Sequence, residues 1–108
     1  MKRKRIYISI PISGHDLEEV KAKARNIREC LLCDVFGFRK GQNRPDVITP
    51  FDVCPKPDKS YPYYMGKDIG ALLECDAIFL CEGWQNSKGC MAEFEVARIY
   101  GKEIIFER

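Results

Sequence analysis

The stretch from Cys75 to Gly101, CDAIFLCEGWQNSKGCMAEFEVARIYG, constrains the fold more than any other part of the chain. Ala77 to Cys81 is apolar without interruption, the pattern of a strand covered on both faces in a parallel sheet. Glu82 to Gly89 then forms a loop carrying Gly, Trp, Asn and Ser, and an amphipathic helix follows. Open α/β sheets hold their ligands at the carboxyl ends of their strands, so functional residues are expected in and around this loop.

Spacing assigns the faces of that helix. At about 100° per residue, Asn86, Gly89, Cys90, Glu93, Val96, Ala97 and Tyr100 share one stripe, with Met91, Glu95 and Arg98 roughly opposite. Glu93 is therefore predicted to point inward among small and apolar neighbours, whereas Glu95 is an ordinary solvated acid. Desolvating an unpaired carboxylate costs on the order of several kcal/mol. An inward glutamate therefore needs a dedicated reason.

Earlier in the chain, strand and helix alternate. Arg5 to Ile10, rich in β-branched and aromatic residues, reads as the first strand, and Pro11-Ile12-Ser13-Gly14 as a turn. Ser13 is the expected N-cap of the next helix, with Asp16 in the acidic position of a capping box. Leu17, Val20, Ala24, Ile27, Leu31 and Val35 recur at three and four, predicting a long amphipathic helix that stops near Gly37. Phe38 to Pro45 reads as a surface loop and Asp46 to Thr49 as a short strand ended by Pro50. Phe51 to Ser60 is expected to be irregular, either a flap over a site or an inert connection. Pro62 to Leu73 is helical, with Asp68 on the stripe of Tyr61, Tyr64, Met65 and Leu72. Glu103 to Phe106 supplies the last strand.

This alternation predicts a flavodoxin-like, Rossmann-like three-layer α/β domain, with about four mainly parallel strands in the order 2-1-3-4. The chain reverses between the first and third strands. Ser9 to Gly14, the end of the second strand and Glu82 to Gly89 should converge there, facing the free N–H groups at the amino end of the helix after the loop.

Composition narrows the partners. A chain of 108 residues with 45% hydrophobic content supports one core rather than two, so one domain over residues 1–108 is expected. A net charge of +2 gives no reason to expect nucleic acid, and the basic Met1–Arg5 segment reads as a solvated lead-in. Apolar runs are too short to span a bilayer and no signal-peptide core follows the basic start; the expected setting is cytoplasmic, without membrane association. Of six cysteines, Cys75, Cys81 and Cys90 sit in or beside predicted core elements and are expected to be reduced and buried. Cys30 and Cys33 form a C-x-x-C within a helical pattern, without a second pair and with one histidine in the chain, which disfavours zinc and redox chemistry. No metal or cofactor is called for.

The run from Asp76 to Tyr100, with Ser87, Gly89 and Glu93 at S-x-G-x-x-x-E spacing, resembles the nucleoside 2-deoxyribosyltransferase family and its deoxynucleotide N-hydrolase relatives. The Tyr7 strand, the Pro11–Gly14 turn and Asp68 ahead of the Asp76 strand fit the same pattern. The chain looks closest to a small bacterial and phage group placed near that family, whose members often begin with Y-I-x-G-P-[IM]-[ST]-G. The resemblance implies Glu93 as nucleophile at the anomeric carbon, Asp68 as the acid assisting around the sugar or base, and Tyr7 orienting Glu93. Ser9, Pro11, Ser13, Gly14, Trp84, Asn86, Ser87 and Gly89 are the substrate-binding set expected with it. The implied partner is a small nucleoside or nucleotide, in a homo-oligomer whose neighbouring subunit closes the pocket. Two departures stand out: Ile10 replaces the usual glycine, and the first loop lacks the arginine of phosphate-binding relatives, with only His15 and, across the crevice, Lys88. These favour an unphosphorylated ligand.

Each residue also has a structural explanation. Glu93 could be an acid bonded to Tyr7 or to backbone, Asp68 a loop cap or a partner of Lys67 or Arg98, and Trp84 a packing residue. The functional alternatives are accordingly an enzyme acting on N-glycosidic bonds, a non-catalytic nucleoside- or nucleotide-binding module, and a structural subunit with a vestigial crevice.

Overall fold

The computed structural model describes residues 4–33, 45–53 and 59–107. Four parallel strands, β1 (Arg5–Ser9), β2 (Asp46–Ile48), β3 (Ala77–Leu80) and β4 (Glu103–Phe106), form a sheet in the order β2-β1-β3-β4. The predicted order is the observed one. Strands end about one residue earlier than their apolar runs, because Ile10, Thr49 and Cys81 already belong to the loops leaving the carboxyl edge.

Side chains alternate across a strand, and β1 splits its residues between two apolar layers. Ile6 and Ile8 pack with Val20, Ala24, Ile27 and Leu31 of α1 (Leu17–Cys33), together with Ala77 and Phe79 of β3. On the other face, Tyr7 packs with Ile78 and Leu80, with Leu72 of α3 (Tyr61–Leu73) and with Ala97 of α4 (Lys88–Ile99). In-register pairing sets Tyr7 beside Ile78 and Ser9 beside Leu80. The result is a three-layer sandwich whose central strands are covered on both faces, as parallel strands require.

Helix ends correct three expectations. Ser13 does not cap α1: Gly14 takes φ +82°, which a helix cannot continue through, and the Asp16 carboxylate instead accepts from the Glu18 N–H at 3.2 Å. Tyr100, placed on the inner stripe by spacing, is 64% exposed. The helix closes at this residue, with the Lys102 and Gly101 N–H groups bonding back to the Ala97 and Arg98 carbonyls. Asn86 precedes α4, lying in a single 3-10 turn (Trp84–Asn86) with Ser87 as the N-cap.

The segment after β2 is more ordered than expected. Pro50–Val53 forms a short helix, α2. Its start is held by reciprocal bonds: Asp52 N–H donates to Thr49 Oγ1 at 3.3 Å, and Thr49 N–H donates to Asp52 Oδ2 at 3.0 Å. That is a capping box with Asp in the acidic position. The flap expectation for residues 54–58, the loop at 38–44 and the end of α1 near Gly37 lie outside the described residues.

Candidate active site

Loops leaving β1, β2 and β3 converge with α3 on a cavity of about 820 Å³. Its walls come from residues 10–13 and His15 after β1, Leu17 and Lys21 on α1, Pro50 and Phe51 on α2, Tyr61, Tyr64, Met65 and Asp68 on α3, and Gly83, residues 86–90 and Glu93 around the start of α4. This is the predicted switch-point crevice.

Glu93 lies in its wall and is only 3% exposed. Both carboxylate oxygens accept a hydrogen bond from β1: Tyr7 Oη donates to Oε2 at 2.7 Å and Ser9 Oγ donates to Oε1 at 2.6 Å. Two residues apart on a strand, Tyr7 and Ser9 face the same way, which is why one carboxylate can engage both. Burial lifts the Glu93 pKa to about 7; the Ser9 and Tyr7 hydroxyls pull it down, and the Asp68 charge adds to the rise. Tyr7 is held well above its ordinary value by burial first, then by the neighbouring carboxylates Glu93 and Asp68.

Asp68 faces the same cavity from α3. It is 7% exposed, and its Oδ1 has no hydrogen-bond partner among the described residues. Burial raises its pKa to about 6. The two structural partners considered for it are engaged elsewhere: Arg98 pairs with Glu95 at 2.7 Å, and the Lys67 ammonium sits 5.8 Å from the Tyr63 ring. A buried acceptor without a donor is costly. A ligand donor in the cavity would satisfy it.

The start of α4 forms the facing wall. Ser87 Oγ caps the helix by accepting from Cys90 N–H at 3.3 Å. A Cβ added at Gly89 would stand 3.5 Å from both Met65 Sδ and Tyr61 Oη, so the missing side chain leaves open the space between α3 and α4. Cys90 lines the cavity beside Glu93 but is 2% exposed, and burial raises its thiol pKa.

The expected site residues divide. Pro11, Ser13, Asn86, Ser87, Gly89, Asp68 and Glu93 line the cavity. Tyr7 and Ser9 lie outside the cavity lining, fully buried, with both hydroxyls bonded to Glu93. Gly14 is exposed in the turn and outside the lining. Trp84 is also outside the lining, its ring packing against Phe94 at 4.8 Å and Phe106 at 5.9 Å. Ile10 is part of the floor, 5% exposed within the core. Lys21 and Phe51 were not foreseen as wall residues, although Lys21 falls one turn after Leu17 and the T-x-x-D capping pattern marks the short helix carrying Phe51.

The model of a family described as a domain of unknown function (DUF4406) matches residues 40–106, more than half of the 108-residue chain. The chain belongs to that family. The DUF4406 match includes Asp68, Ser87, Gly89 and Glu93, while Tyr7 and Ser9 precede it. No curated protein matches the chain. Among solved structures it is similar to one described as 2-desoxiribosyltransferase from Leishmania mexicana, with a TM-score of 0.68 and 22% identity, covering 95% of this chain and 63% of that one. The DUF4406 chain thus spans less than two thirds of that neighbour, and at this identity the likeness is one of fold. No helix among the described residues is long and apolar enough to cross a membrane.

Proposed function

We propose that the crevice cleaves or transfers the N-glycosidic bond of a nucleoside or deoxynucleoside, with Glu93 as nucleophile. The observation that carries this reading is the two-donor mounting of Glu93 in the cavity wall. A glutamate serving only as a core residue gains nothing by lining open space. The fold neighbour's description as a 2-desoxiribosyltransferase agrees with this chemistry.

In the first step a Glu93 oxygen attacks the anomeric carbon as the bond to the base breaks, and the bonding pair leaves with the base, which takes up a proton from solvent water. A glycosyl ester of Glu93 remains. Water, or a second base, then attacks the same carbon and returns the carboxylate. Asp68, whose Oδ1 faces the cavity side of α3 without a donor among the described residues, accepts a hydrogen bond from the ligand in this reading and stabilises the developing positive charge. A donor shared with Oδ1 places the sugar or base against α3. In this reading a second copy of the chain covers the cavity rim, where Leu17 and Tyr61 are exposed; sedimentation showing only monomer at high protein concentration would count against it.

The test is release of free base, followed by chromatography, from a panel of deoxynucleosides, ribonucleosides and their 5′-monophosphates, with and without an acceptor base. Turnover that disappears in Glu93→Ala supports the reading. Binding without turnover in the wild type would replace the enzyme with a binding module.

A further inference from the structure

We infer that Ser9 is a positioning residue for Glu93, fixing the rotation of the carboxylate and holding its ionised form by donating its hydroxyl to Oε1. This deepens the proposed function and depends on it only for the catalytic consequence.

Ser9 is 0% exposed on the inner face of β1, in register with Leu80, and is not part of the cavity wall. A hydroxyl in such a layer is costly unless it is bonded, whereas an apolar side chain there would need no partner. The carboxylate supplies the partner at 2.6 Å. The terminal torsion of a glutamate is broad and roughly two-fold, so the Tyr7 bond to Oε2 alone would leave the carboxylate plane free to swing. The second bond, from a donor two residues along the same strand, pins that plane with one oxygen to each hydroxyl. It also leaves lone-pair capacity on each oxygen for the cavity.

The titratable and charged groups around Glu93 come from every side. Tyr7 stands on β1, Asp68 on α3, and Cys90 on α4 itself, while Lys21, Lys88 and His15 lie farther around the cavity wall. Of all these neighbours, only the Tyr7 and Ser9 side chains hydrogen-bond the carboxylate among the described residues.

The experiment is a carboxyl 13C NMR titration of Glu93 in the wild type, Ser9→Ala and Ser9→Thr, with the signal assigned by its loss in Glu93→Gln. Losing a charge-assisted bond should raise the Glu93 pKa by about one unit in Ser9→Ala, while Ser9→Thr, which keeps the hydroxyl, titrates as the wild type does. Where base is released, the acid limb of kcat moves up by the same amount in Ser9→Ala and KM changes little. An unchanged Glu93 titration in Ser9→Ala overturns the inference, as does an equal shift in Ser9→Thr. A raised KM with an unmoved titration would make Ser9 a ligand contact instead. A shifted titration with no base release from any protein would leave the positioning role standing and remove the proposed activity.

Discussion

Tyr7 and Glu93, 86 positions apart in sequence, are joined by a 2.7 Å hydrogen bond from the phenol to Oε2. Through it the first strand and the last helix meet at one buried charge, so folding and the state of the site are coupled. Tyr7→Phe should therefore cost more at high pH than at low pH. At pH 5 Glu93 is mostly protonated and loses an ordinary hydrogen bond, about 1 kcal/mol; at pH 8 it is ionised and loses a charge-assisted one, about 1.5–3 kcal/mol. Denaturant midpoints at the two pH values measure the difference, and an equal loss at both would contradict it.

The same buried acid sets the pH dependence of the whole protein. Burial raises Glu93 from 4.5 to about 7 and Asp68 from 3.8 to about 6. Between the unfolded and folded pKa values the native state binds more protons than the unfolded state, so the contribution to stability is present below the unfolded values and is lost as pH rises through the folded ones. For Glu93 the loss amounts to about 3 kcal/mol by pH 8. Thermal or urea unfolding from pH 4.5 to 8 should show the decline, and Glu93→Gln should flatten part of it, leaving the share that belongs to Asp68. A wild-type curve that rises with pH across this window would be the opposite of what is expected.

Legibility in the sequence followed periodicity. The apolar Ala77–Cys81 run and the three-and-four spacing from Leu17 to Leu31 reflect burial against neighbouring layers, which repeats regularly, so sheet order, helix faces and the inward aim of Glu93 and Asp68 were all readable. Helix ends depend instead on single side chains. Ser13 and Asp16 are both competent caps, and only the positive φ at Gly14 decides for Asp16. Contacts between distant segments were harder still. Ser9 could be assigned to the crevice, but whether it met a ligand or a carboxylate depended on a residue 84 positions away. Trp84 beside a glycine-bearing loop is compatible with stacking on a base or on Phe94, and the choice rests on how α4 and β4 pack.

Trp84 gives a prediction that separates these two roles. Because its ring packs on Phe94 and Phe106, Trp84→Ala should destabilise the protein by roughly 2–4 kcal/mol while leaving the affinity for a nucleoside unchanged in the folded fraction. Calorimetric titration beside thermal unfolding reads both quantities. Weaker binding with unchanged stability would return Trp84 to the ligand site.

The thiols should separate by burial. Cys30 is exposed, whereas Cys75, Cys81 and Cys90 are buried, with pKa values raised to about 11 for Cys75, to about 12 for Cys81, and upward for Cys90. Since the thiolate is the reactive species, a Cys33→Ser/Cys54→Ser variant treated with a disulfide reagent at pH 8 should label quickly at Cys30 and at the other three only on unfolding. Rapid native labelling of Cys90 would mean that the cavity admits reagents deeper than its 2% exposure suggests.

The pH dependence of turnover tests the division of labour between the two acids. Attack at the anomeric carbon needs Glu93 ionised, so base release should rise with pH through about 7, the value to which burial lifts this carboxyl. Burial raises Asp68 as well, to about 6, so the two acids titrate in neighbouring ranges. A proton-donor role for Asp68 would need Glu93 ionised and Asp68 protonated together, and would add a falling limb as Asp68 ionised. A role as hydrogen-bond acceptor and electrostatic stabiliser adds no such limb. On the acceptor role, Asp68→Asn removes a negative charge facing the developing cation and should lower kcat by roughly two to four orders of magnitude, the range of a positioned polar group in the transition state. It should leave the rising limb near its wild-type position, or move it slightly down, because the Asp68 charge no longer opposes ionisation of Glu93. The variant should also be at least as stable as the wild type above pH 6, since the buried charge is gone. A wild-type profile that falls from pH 6 to 8 would assign the proton to Asp68 and reverse the two roles.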